Sequence, residues 1–457
     1  MFPPFPQEIA HHYCCNLISQ IEKGEAMLQQ IAQESTERAG QGLMIGCLVC
    51  WNPNTKSRVI LYAVSGSSKI PVTKNHAQNE IFVPSLVSPE KINKALEKND
   101  LKIHQLTDKI NEIAKKLRNE KSLAADELKK LQKKIAAKRT KLTTQSLKKV
   151  FSLYNFTRFD GKKVSLNQII EEHKNKLPPT GTGDCCAPKL LSYAFENGLE
   201  PVSMDEVFYG RSAKSKINGQ SYPPCDERCG YILPSILGVE ILYRDNDIIV
   251  INKQSGLLSV PGKESKKSDC AESRIKKLFP YCITQPATHR LDMETSGILI
   301  LAFNKESHRN LNMQFSQGKI KKKYVALLDG ILHGKQNGHL ELKFRLDADN
   351  RPYQIYDEVN GKLGITDWEK IRVQTLINPE TGLKKKVTRI EFFPQTGKTH
   401  QLRLAASNKK GLGMPIVGDT LYGRCLKGEH LMLHAAHIEF IHPTSKELMT
   451  FDCPPDF

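Results

Sequence analysis

Between Glu90 and Asp160 the chain contains neither proline nor glycine, so no residue in that stretch forces a helix to end. Apolar side chains recur there with alternating spacings of three and four residues, the heptad pattern of helices that pair lengthwise. These residues are Ile103, Leu106, Ile110, Ile113, Leu117, Ala124, Leu128, Leu131 and Ile135. The pattern predicts a coiled coil or a helical hairpin over residues 91–150, with a turn in the polar residues 118–125. The partner helix belongs either to the same chain or to a second copy, so self-association through residues 91–150 is also an expectation.

The positive charge of the chain is concentrated in two stretches. The formal net charge is +18, and residues 91–150 carry 18 Lys and Arg against 7 Asp and Glu. Residues 239–457 carry 33 basic against 25 acidic residues. A basic excess of this size attracts polyanions, because binding releases counterions from the phosphates. A Lys-rich helix alone is equally well explained as a solvated face, but the two basic stretches together favour a nucleic-acid partner.

Length and apolar content set further bounds. A chain of 457 residues is too long for one hydrophobic core, so two or three domains are expected. No apolar run reaches the ~18 residues that a membrane span requires, and the first residues lack the basic-then-apolar layout of a secretory signal. These features predict a cytoplasmic protein with no membrane partner, whose twelve cysteines are reduced thiols.

The patterns along the chain predict four regions. A polar helical pattern over residues 18–31 is followed by two strand-like runs, residues 43–50 and 58–64. The four regions are residues 1–90, a small α/β N-terminal region; residues 91–150, the Lys-rich coiled coil or helical hairpin; residues 151–238, a Cys-containing linker domain; and residues 239–457, a domain of alternating strand patterns separated by turn dipeptides.

A polar cluster in the last region runs straight into an apolar strand. The sequence is His289-Arg-Leu-Asp-Met-Glu-Thr-Ser-Gly, followed by the apolar residues 298–303. A buried strand fixes the geometry of the loop before it, which suits a reactive carboxylate. Arg290 lies two residues before Asp292, so both side chains project from one face of an extended backbone. An isolated Arg-x-Asp pair is usually a surface salt bridge. The surrounding motifs therefore decide between a salt bridge and a reactive carboxylate.

Those motifs occur in a fixed order. They are Ile249-Val-Ile-Asn-Lys-Gln-Ser-Gly upstream, and Lys322-Lys-Tyr, Thr396-Gly-Lys-Thr-His-Gln-Leu-Arg, Met414-Pro-Ile-Val-Gly-Asp, Leu431-Met-Leu-His-Ala and His442-Pro downstream. Together with His-Arg-Leu-Asp-x-x-Thr-Ser-Gly they strongly resemble the RluA-type RNA pseudouridine synthases, which modify ribosomal and transfer RNA. The resemblance covers residues 239–457 and leaves a long N-terminal extension outside it. Residues 345–368 look most like the branch that acts on both tRNA and 23S rRNA.

The resemblance implies an α+β fold and three catalytic residues. The implied catalytic domain has a mixed, mostly antiparallel sheet with flanking helices and a cleft across its middle. Asp292 matches the family's essential aspartate, and Tyr324 matches the active-site tyrosine, which stacks on the base and is a candidate for proton removal. Arg403 matches the arginine that pairs with the aspartate.

Three further residues are implied as substrate-binding. Arg290 matches the arginine implicated in displacing the target base from its stack, with His289 beside it. Leu433 lies in a segment that resembles the apolar wall of the uridine pocket.

The reaction calls for these residue types. The glycosidic bond of uridine must break, the uracil must rotate, and C5 must rejoin C1′. A carboxylate adds to the sugar or stabilises charge on it, and so divides one hard step into easier ones. The target base must also leave its stack, which costs a few kcal/mol that stacking contacts offset. Nothing in this scheme calls for a metal, nucleotide or redox cofactor.

Four cysteines form a second candidate site. Cys225 and Cys229 follow Cys185 and Cys186 by about 40 residues, and the Cys-x-x-x-Cys spacing is near that of structural zinc sites. The four thiols are therefore a candidate zinc-ligand set, and the plainer interpretation is a group of buried thiols. The arrangement is also similar to zinc nucleobase deaminases, but no Glu stands next to Cys185 or Cys186 to move protons.

The sequence therefore predicts an RNA pseudouridine synthase that isomerises specific uridines in structured RNA, namely 23S rRNA, tRNA or both. The alternative is a non-catalytic RNA-binding protein on a synthase scaffold, and the intact set of Asp292, Tyr324 and Arg403 argues against it. A hydrolase with an Asp nucleophile would need an activated water and usually a second acid or a metal, for which no partner residue is evident.

Overall fold

The computed structural model describes residues 2–30, 42–66, 69–73, 78–119, 124–173, 175–211, 216–262 and 268–457. The chain divides into two compact units, Met1–Gly238 and Val239–Phe457. In the described residues, no helix is both long enough and apolar enough to cross a membrane.

The first unit contains helices α1–α6 and strands β1–β8. The helices are α1 Glu8–Glu22, α2 Pro89–Asn119, α3 Ala124–Phe151, α4 Leu166–Glu172, α5 Cys186–Glu196 and α6 Cys229–Leu237. The strands are β1 Ala26–Gln30, β2 Leu43–Asn52, β3 Ser57–Val64, β4 Lys69–Thr73, β5 Glu80–Phe82, β6 Asn155–Thr157, β7 Lys163–Ser165 and β8 Glu200–Tyr209.

Strand β2 lies at the centre of the first unit and is covered on both faces. Its sheet has the order β5-β3-β2-β8, in which β2 is antiparallel to both neighbours. Ile45 and Cys47 share a buried cluster with Cys14 of α1. Gly46 points to the opposite face, because side chains alternate along a strand. There α5 approaches so closely that an added Cβ at Gly46 would lie 2.5 Å from the Cys186 Cβ. Two covered faces explain why β2 is apolar almost throughout.

The two predicted strands are present as β2 and β3, but the helix predicted over residues 18–31 is wrong. Helix α1 ends at Glu22, and β1 begins at Ala26. Gly24 has φ +71°, a left-handed conformation that suits glycine and ends a helix. Residue 31 lies outside the described residues.

Helices α2 and α3 pack against each other as an antiparallel pair. Asn99 Nδ2 donates to Ser146 Oγ at 3.1 Å, and Gln132 Nε2 donates to the Ile110 carbonyl at 3.5 Å. The turn expected in residues 118–125 falls largely on residues 120–123, which are outside the described part of the chain. Most heptad residues are partly buried, whereas Leu131 is 46% exposed.

The second unit contains helices α7–α9 and strands β9–β18. The helices are α7 Ala271–Leu278, α8 Lys305–Ser316 and α9 Gln401–Ser407. The strands are β9 Glu240–Arg244, β10 Ile248–Lys253, β11 Ser296–Ala302, β12 Lys321–Leu328, β13 Asn337–Leu346, β14 Gln354–Tyr356, β15 Lys362–Ile377, β16 Lys384–Pro394, β17 Leu433–Ile441 and β18 Leu448–Asp452.

One sheet organises the second unit. Its order is β14-β13-β15-β16-β12-β17-β11-β10-β9, with β18 on β17. Strands β11 and β17 are parallel, and the other neighbouring strands described are antiparallel. The α+β class and the mixed, mostly antiparallel sheet predicted for this part of the chain are confirmed. The strand after the polar cluster is β11. Its neighbour β17 and the next strand beyond it, β12, carry further candidate residues.

Candidate active site

The loop that carries Asp292 is held by hydrogen bonds on both sides of this residue. The Leu291 N–H donates to Ser259 Oγ at 3.0 Å, and Ser259 Oγ donates back to the Leu291 carbonyl at 2.7 Å. On the other side, Ser255 Oγ donates to the Glu294 carbonyl at 2.6 Å. These bonds explain why the motif after β10 accompanies the Asp motif: its serines fix the backbone that presents the carboxylate.

The buried Lys253 side chain joins the loop after β10 to the loop that carries Asp292. Its side chain is 1% exposed, and Nζ donates to the carbonyls of Gln254, Leu257 and Met293 at 3.0, 2.7 and 3.1 Å. A buried ammonium needs its three donors satisfied, and these carbonyls satisfy them. Burial lowers the pKa of Lys253 to about 7, and the Asp292 carboxylate opposes that shift. Lys253 therefore sits within the electrostatic reach of the catalytic candidate.

Tyr324 lies in a row with the start of β11. It is paired with Ala435 of β17, and Ala435 is paired with Gly297 of β11. Gly297 has φ +111°, and an added Cβ would lie 2.3 Å from the Ala435 carbonyl oxygen, so only glycine lets β11 approach β17 there. Burial raises the pKa of Tyr324 well above its ordinary value, and the Asp292 charge raises it further. Tyr324 is therefore a neutral phenol that lies within the electrostatic field of Asp292.

Arg403 is buried in α9, and its guanidinium is committed to two other carboxylates. Nε donates to Asp419 Oδ2 at 2.9 Å, and Nη2 donates to Asp419 Oδ1 at 2.5 Å and to Glu294 Oε2 at 3.0 Å. Burial alone would lower the pKa of Arg403, but the bond to Asp419 raises it. The prediction that Arg403 pairs directly with Asp292 is wrong: in the described residues its ion pairs are with Asp419 and Glu294.

His400 is the nearest cation-forming side chain to Asp292. It is the N-cap of α9 in a left-handed conformation, φ 56°, and its Nε2 lies 4.0 Å from Asp292 Oδ1. Its Nδ1 is 2.7 Å from the Tyr422 hydroxyl, which accepts the Gln354 N–H at 2.8 Å. Because the Tyr422 oxygen already accepts the Gln354 N–H, its own O–H can donate to His400 Nδ1. Nδ1 is then the acceptor, which favours the His400 tautomer with its proton on Nε2. Burial lowers the pKa of His400, Asp292 opposes the shift, and Arg403 adds to it.

The three candidate substrate-binding residues differ in their surroundings. Arg290 is exposed two residues before Asp292, and Leu433 is buried on β17. His289 Nε2 accepts the Ile300 N–H at 3.1 Å, and its ring lies 4.6 Å from the Phe315 ring. Burial lowers the pKa of His289 to about 3, so it is a neutral acceptor that holds the loop on β11.

Asp292 itself is left without a fixed partner. Its side chain is 28% exposed, and among the described residues its carboxylate accepts no hydrogen bond. Its charge nevertheless acts on five surrounding groups, which are Lys253, Tyr324, His400, Arg403 and Tyr422. The site therefore presents an accessible carboxylate on a rigid backbone, which is the arrangement that nucleophilic chemistry requires.

Five residues of this site were missed by sequence reasoning. They are Lys253, Glu294, His400, Asp419 and Tyr422. All five lie inside the motifs quoted above or within three residues of one, so the motifs could have indicated that these residues belong to the site. The sequence does not show their roles, because Asp419 and Glu294 are 125 positions apart in the chain and are linked through Arg403, which bonds to both.

Among the residues that the structure describes, two groups of side chains have a geometry that suits metal ligands. The ligand atoms of Cys185, Cys225 and Cys229 all lie within 4.8 Å of one another. Cys186, the fourth predicted zinc ligand, is not among them: its Sγ donates to the carbonyls of Met44 and Ala63, so Cys186 is removed from the predicted set.

The second group is Asp245, Asp247 and His442 in the second unit. His442 Nε2 bonds to Asp245 Oδ2 at 2.8 Å, and Asp247 Oδ1 accepts from Asn304 and Ser307. Its donors and acceptors satisfy one another, so this group is explained as a structural network.

The second unit is similar in sequence to known RNA pseudouridine synthases. The sequence model of the family described as RNA pseudouridylate synthase matches residues 247–408. The chain is 40% identical over 222 residues to the dual-specificity RNA pseudouridine synthase RluA of Haemophilus influenzae, covering 48% of this chain and 94% of that protein. It is 36% identical over 222 residues to the protein of the same name from Escherichia coli, covering 48% and 93%. The solved structure of human RNA pseudouridylate synthase domain containing 1 is 27% identical, with a TM-score of 0.38 over 48% of this chain and 84% of that chain.

Proposed function

The chain belongs to the RluA-type RNA pseudouridine synthases, and we propose that Asp292 is the carboxylate with which it isomerises uridine. The observation that carries this assignment is the position of Asp292. It is the partly exposed carboxylate whose charge reaches Lys253, Tyr324, His400 and Arg403, while its own oxygens accept no hydrogen bond from the described residues.

The geometry supports a defined role for each group. The Asp292 carboxylate attacks or stabilises C1′ of the ribose as the N1–C1′ bond breaks. The uracil then rotates, the C5–C1′ bond forms, and the C5 proton leaves while N1 gains one. Tyr324 offers an aromatic face for the base and a neutral hydroxyl, since burial and the Asp292 charge hold its pKa above the ordinary range. Arg403 is a positioning residue, because it holds Glu294 and Asp419 around the loop without pairing with Asp292.

Replacing Asp292 tests this assignment. Asp292→Asn keeps the size of the side chain and removes its charge, so pseudouridine formation should be lost while RNA affinity changes by no more than a few-fold. The matched control is Asp452→Asn, whose carboxylate is 70% exposed and pairs with His437, and it should keep normal turnover. Turnover by Asp292→Asn in a preparation shown by mass spectrometry to be free of deamidation would refute the role of Asp292.

The substrates are proposed to be ribosomal and transfer RNA, in the cytoplasm. The relatives named above are described as dual-specificity RNA enzymes, and the sequence of residues 345–368 is similar to that branch. Pseudouridine maps of rRNA and tRNA from cells with and without the protein should differ at uridines of both RNA classes. Loss of sites from one class alone would limit the substrate to that class.

We further propose that the hairpin of α2 and α3 adds electrostatic RNA affinity. Its apolar seam is already used within the chain, and its lysines are exposed, among them Lys129, Lys130, Lys133 and Lys134. Solvent-exposed lysines neutralise phosphates without sequence preference. In the described part of the hairpin, Leu101, which is 73% exposed, and Leu131 are the large apolar side chains that remain available to a second copy, which argues against self-association.

Substituting these four lysines by glutamine should weaken RNA binding and make its dependence on salt shallower. For each lysine that neutralises a phosphate, the slope of log K against log salt should fall by about 0.7 to 0.9. The control variant replaces the same four lysines by arginine, which keeps the charge. Unchanged affinity and slope in the glutamine variant would show that the hairpin is a spacer, and a second-order dependence on chain concentration in sedimentation would favour self-association.

A further inference from the structure

Three thiols of the first unit converge although they come from two separate segments of the chain. Cys185 precedes α5, Cys225 lies before α6, and Cys229 is the first residue of α6. Their sulfur atoms lie within 4.8 Å of one another. Zinc binds thiolate sulfur at about 2.3 Å in tetrahedral geometry, which separates two ligand sulfurs by about 3.8 Å. The three sulfurs are therefore close enough for one ion to bind all of them after a small movement of the side chains.

The backbone around these thiols brings their sulfur atoms together. Cys185 is the N-cap of α5, yet its side chain makes no capping hydrogen bond, so its sulfur is not held by the end of the helix. Cys229 is the first residue of α6. The Gly230 N–H donates to the Cys225 carbonyl at 2.9 Å, which closes a turn from Cys225 to Gly230. This turn carries both Cys225 and Cys229, and their sulfurs lie close to that of Cys185.

A buried carboxylate accompanies the three thiols. Glu206 of β8 is 5% exposed and accepts the Ala187 N–H at 2.9 Å. Its charge acts on Cys185, Cys225 and Cys229. Glu206 and the three thiols repel one another once they are ionised, and a bound cation offsets that repulsion. The cluster has the composition of a cation site, and soft thiolates select zinc over magnesium or calcium.

We propose that Cys185, Cys225 and Cys229 bind one zinc ion, whose fourth position is taken by solvent or a small exogenous ligand beside Glu206. Within the described residues the site offers three protein ligands, whereas closed structural sites have four. Cys186 is excluded, since its sulfur lies against the carbonyls of Met44 and Ala63. The ion would join the start of α5 to the start of α6.

Metal content of the full-length protein tests the site directly. Protein purified without chelator and under reducing conditions should contain about one zinc per chain by elemental analysis. Cys225→Ser should lower the zinc content at least tenfold. Its matched control is Cys15→Ser, another exposed cysteine of the same unit, which should keep the metal, as should Cys186→Ala. Circular dichroism of each variant shows whether it has folded.

Two outcomes for the wild-type protein would overturn the proposal without reliance on any variant. One is a chain that takes up no zinc although alkylation shows all three thiols reduced. The other is a disulfide among these cysteines in freshly lysed cells. Cobalt substitution then tests the fourth position: a thiolate-to-cobalt charge-transfer band should appear, and azide should shift the visible d–d bands. A cobalt spectrum that azide does not change would show a closed site and refute the open position.

Discussion

Replacing Asp419 should lower the free energy of unfolding of the unit Val239–Phe457. Its carboxylate is fully buried and receives four hydrogen bonds, two from Arg403 and two from the backbone N–H groups of Leu421 and Tyr422. In Asp419→Asn one oxygen becomes an amide that must face an Arg403 donor. Within the described residues, Arg403 then keeps Glu294, at 3.0 Å, as its one ion-pair partner.

The size of the effect follows from burial. Removing one partner of a buried ion pair costs about 3–5 kcal/mol, because the remaining charge is left uncompensated. Since Glu294 still bonds to Arg403, the lower end of that range, about 3 kcal/mol, is expected for Asp419→Asn. The matched control is Asp329→Asn: Asp329 pairs with Lys385 at 3.0 Å, both side chains are about a quarter exposed, and such a pair contributes at most about 1 kcal/mol.

Fluorescence during urea unfolding measures this loss in the relevant unit. The chain has two tryptophans, Trp51 in the first unit and the buried Trp368 in the second. In a Trp51→Phe background the signal therefore reports the unit Val239–Phe457. Asp419→Asn should also slow single-turnover pseudouridine formation, since Glu294 borders the Asp292 loop. If Asp419→Asn and Asp329→Asn unfold at the same urea concentration, the Arg403–Asp419 pair does not hold this unit together.

Two further predictions concern the groups around Asp292. Tyr324→Phe keeps the aromatic face and removes the hydroxyl, so RNA binding should stay within a few-fold while single-turnover product falls at least about 100-fold; product formation near the wild-type rate would show that stacking alone is required. Burial lowers the pKa of His400, so the unfolded chain holds that proton more tightly, and the stability contributed by neutral His400 is present near pH 7 and lost as pH falls below its unfolded pKa of ~6.5. In the wild-type protein the rate of pseudouridine formation and the urea midpoint of unfolding should both fall toward the acid end of the range from about pH 5 to 8. In His400→Gln this fall should be absent. The same fall in that variant would assign it to another group.

The parts of the fold that were predictable are those encoded by local periodicity. The heptad spacing over residues 91–150 corresponds to α2 and α3, and the apolar run after the Asp motif corresponds to β11. Periodicity could not distinguish the end of α1 from its continuation, since residues 23–30 contain the same polar types. The left-handed Gly24 decides that point, and a lone glycine inside a polar helical pattern is a weak signal.

The parts of the candidate site that were not predictable depend on contacts between distant segments. Adjacent cysteines look equivalent in a sequence, yet Cys185 occupies the N-cap position before α5 whereas Cys186 faces the β-sheet of its unit. A helix turns by about 100° per residue, so neighbouring side chains at its start point in different directions. One cysteine is thereby placed with Cys225 and Cys229, and the other is placed in the core.

The corrected partner of Arg403 changes the interpretation of Asp292. A bidentate Arg403–Asp292 pair would occupy the carboxylate oxygens, and one of them would have to be released before it could reach a ribose carbon. In the structure Asp419 takes that role, with charge-assisted bonds of 2.5 and 2.9 Å. The charges of Arg403 and Asp292 then act on each other through space, and among the described residues no hydrogen bond holds the Asp292 carboxylate. The rigidity of the site is supplied by the backbone bonds of Leu291 and Glu294, which leaves Asp292 both fixed in position and chemically available.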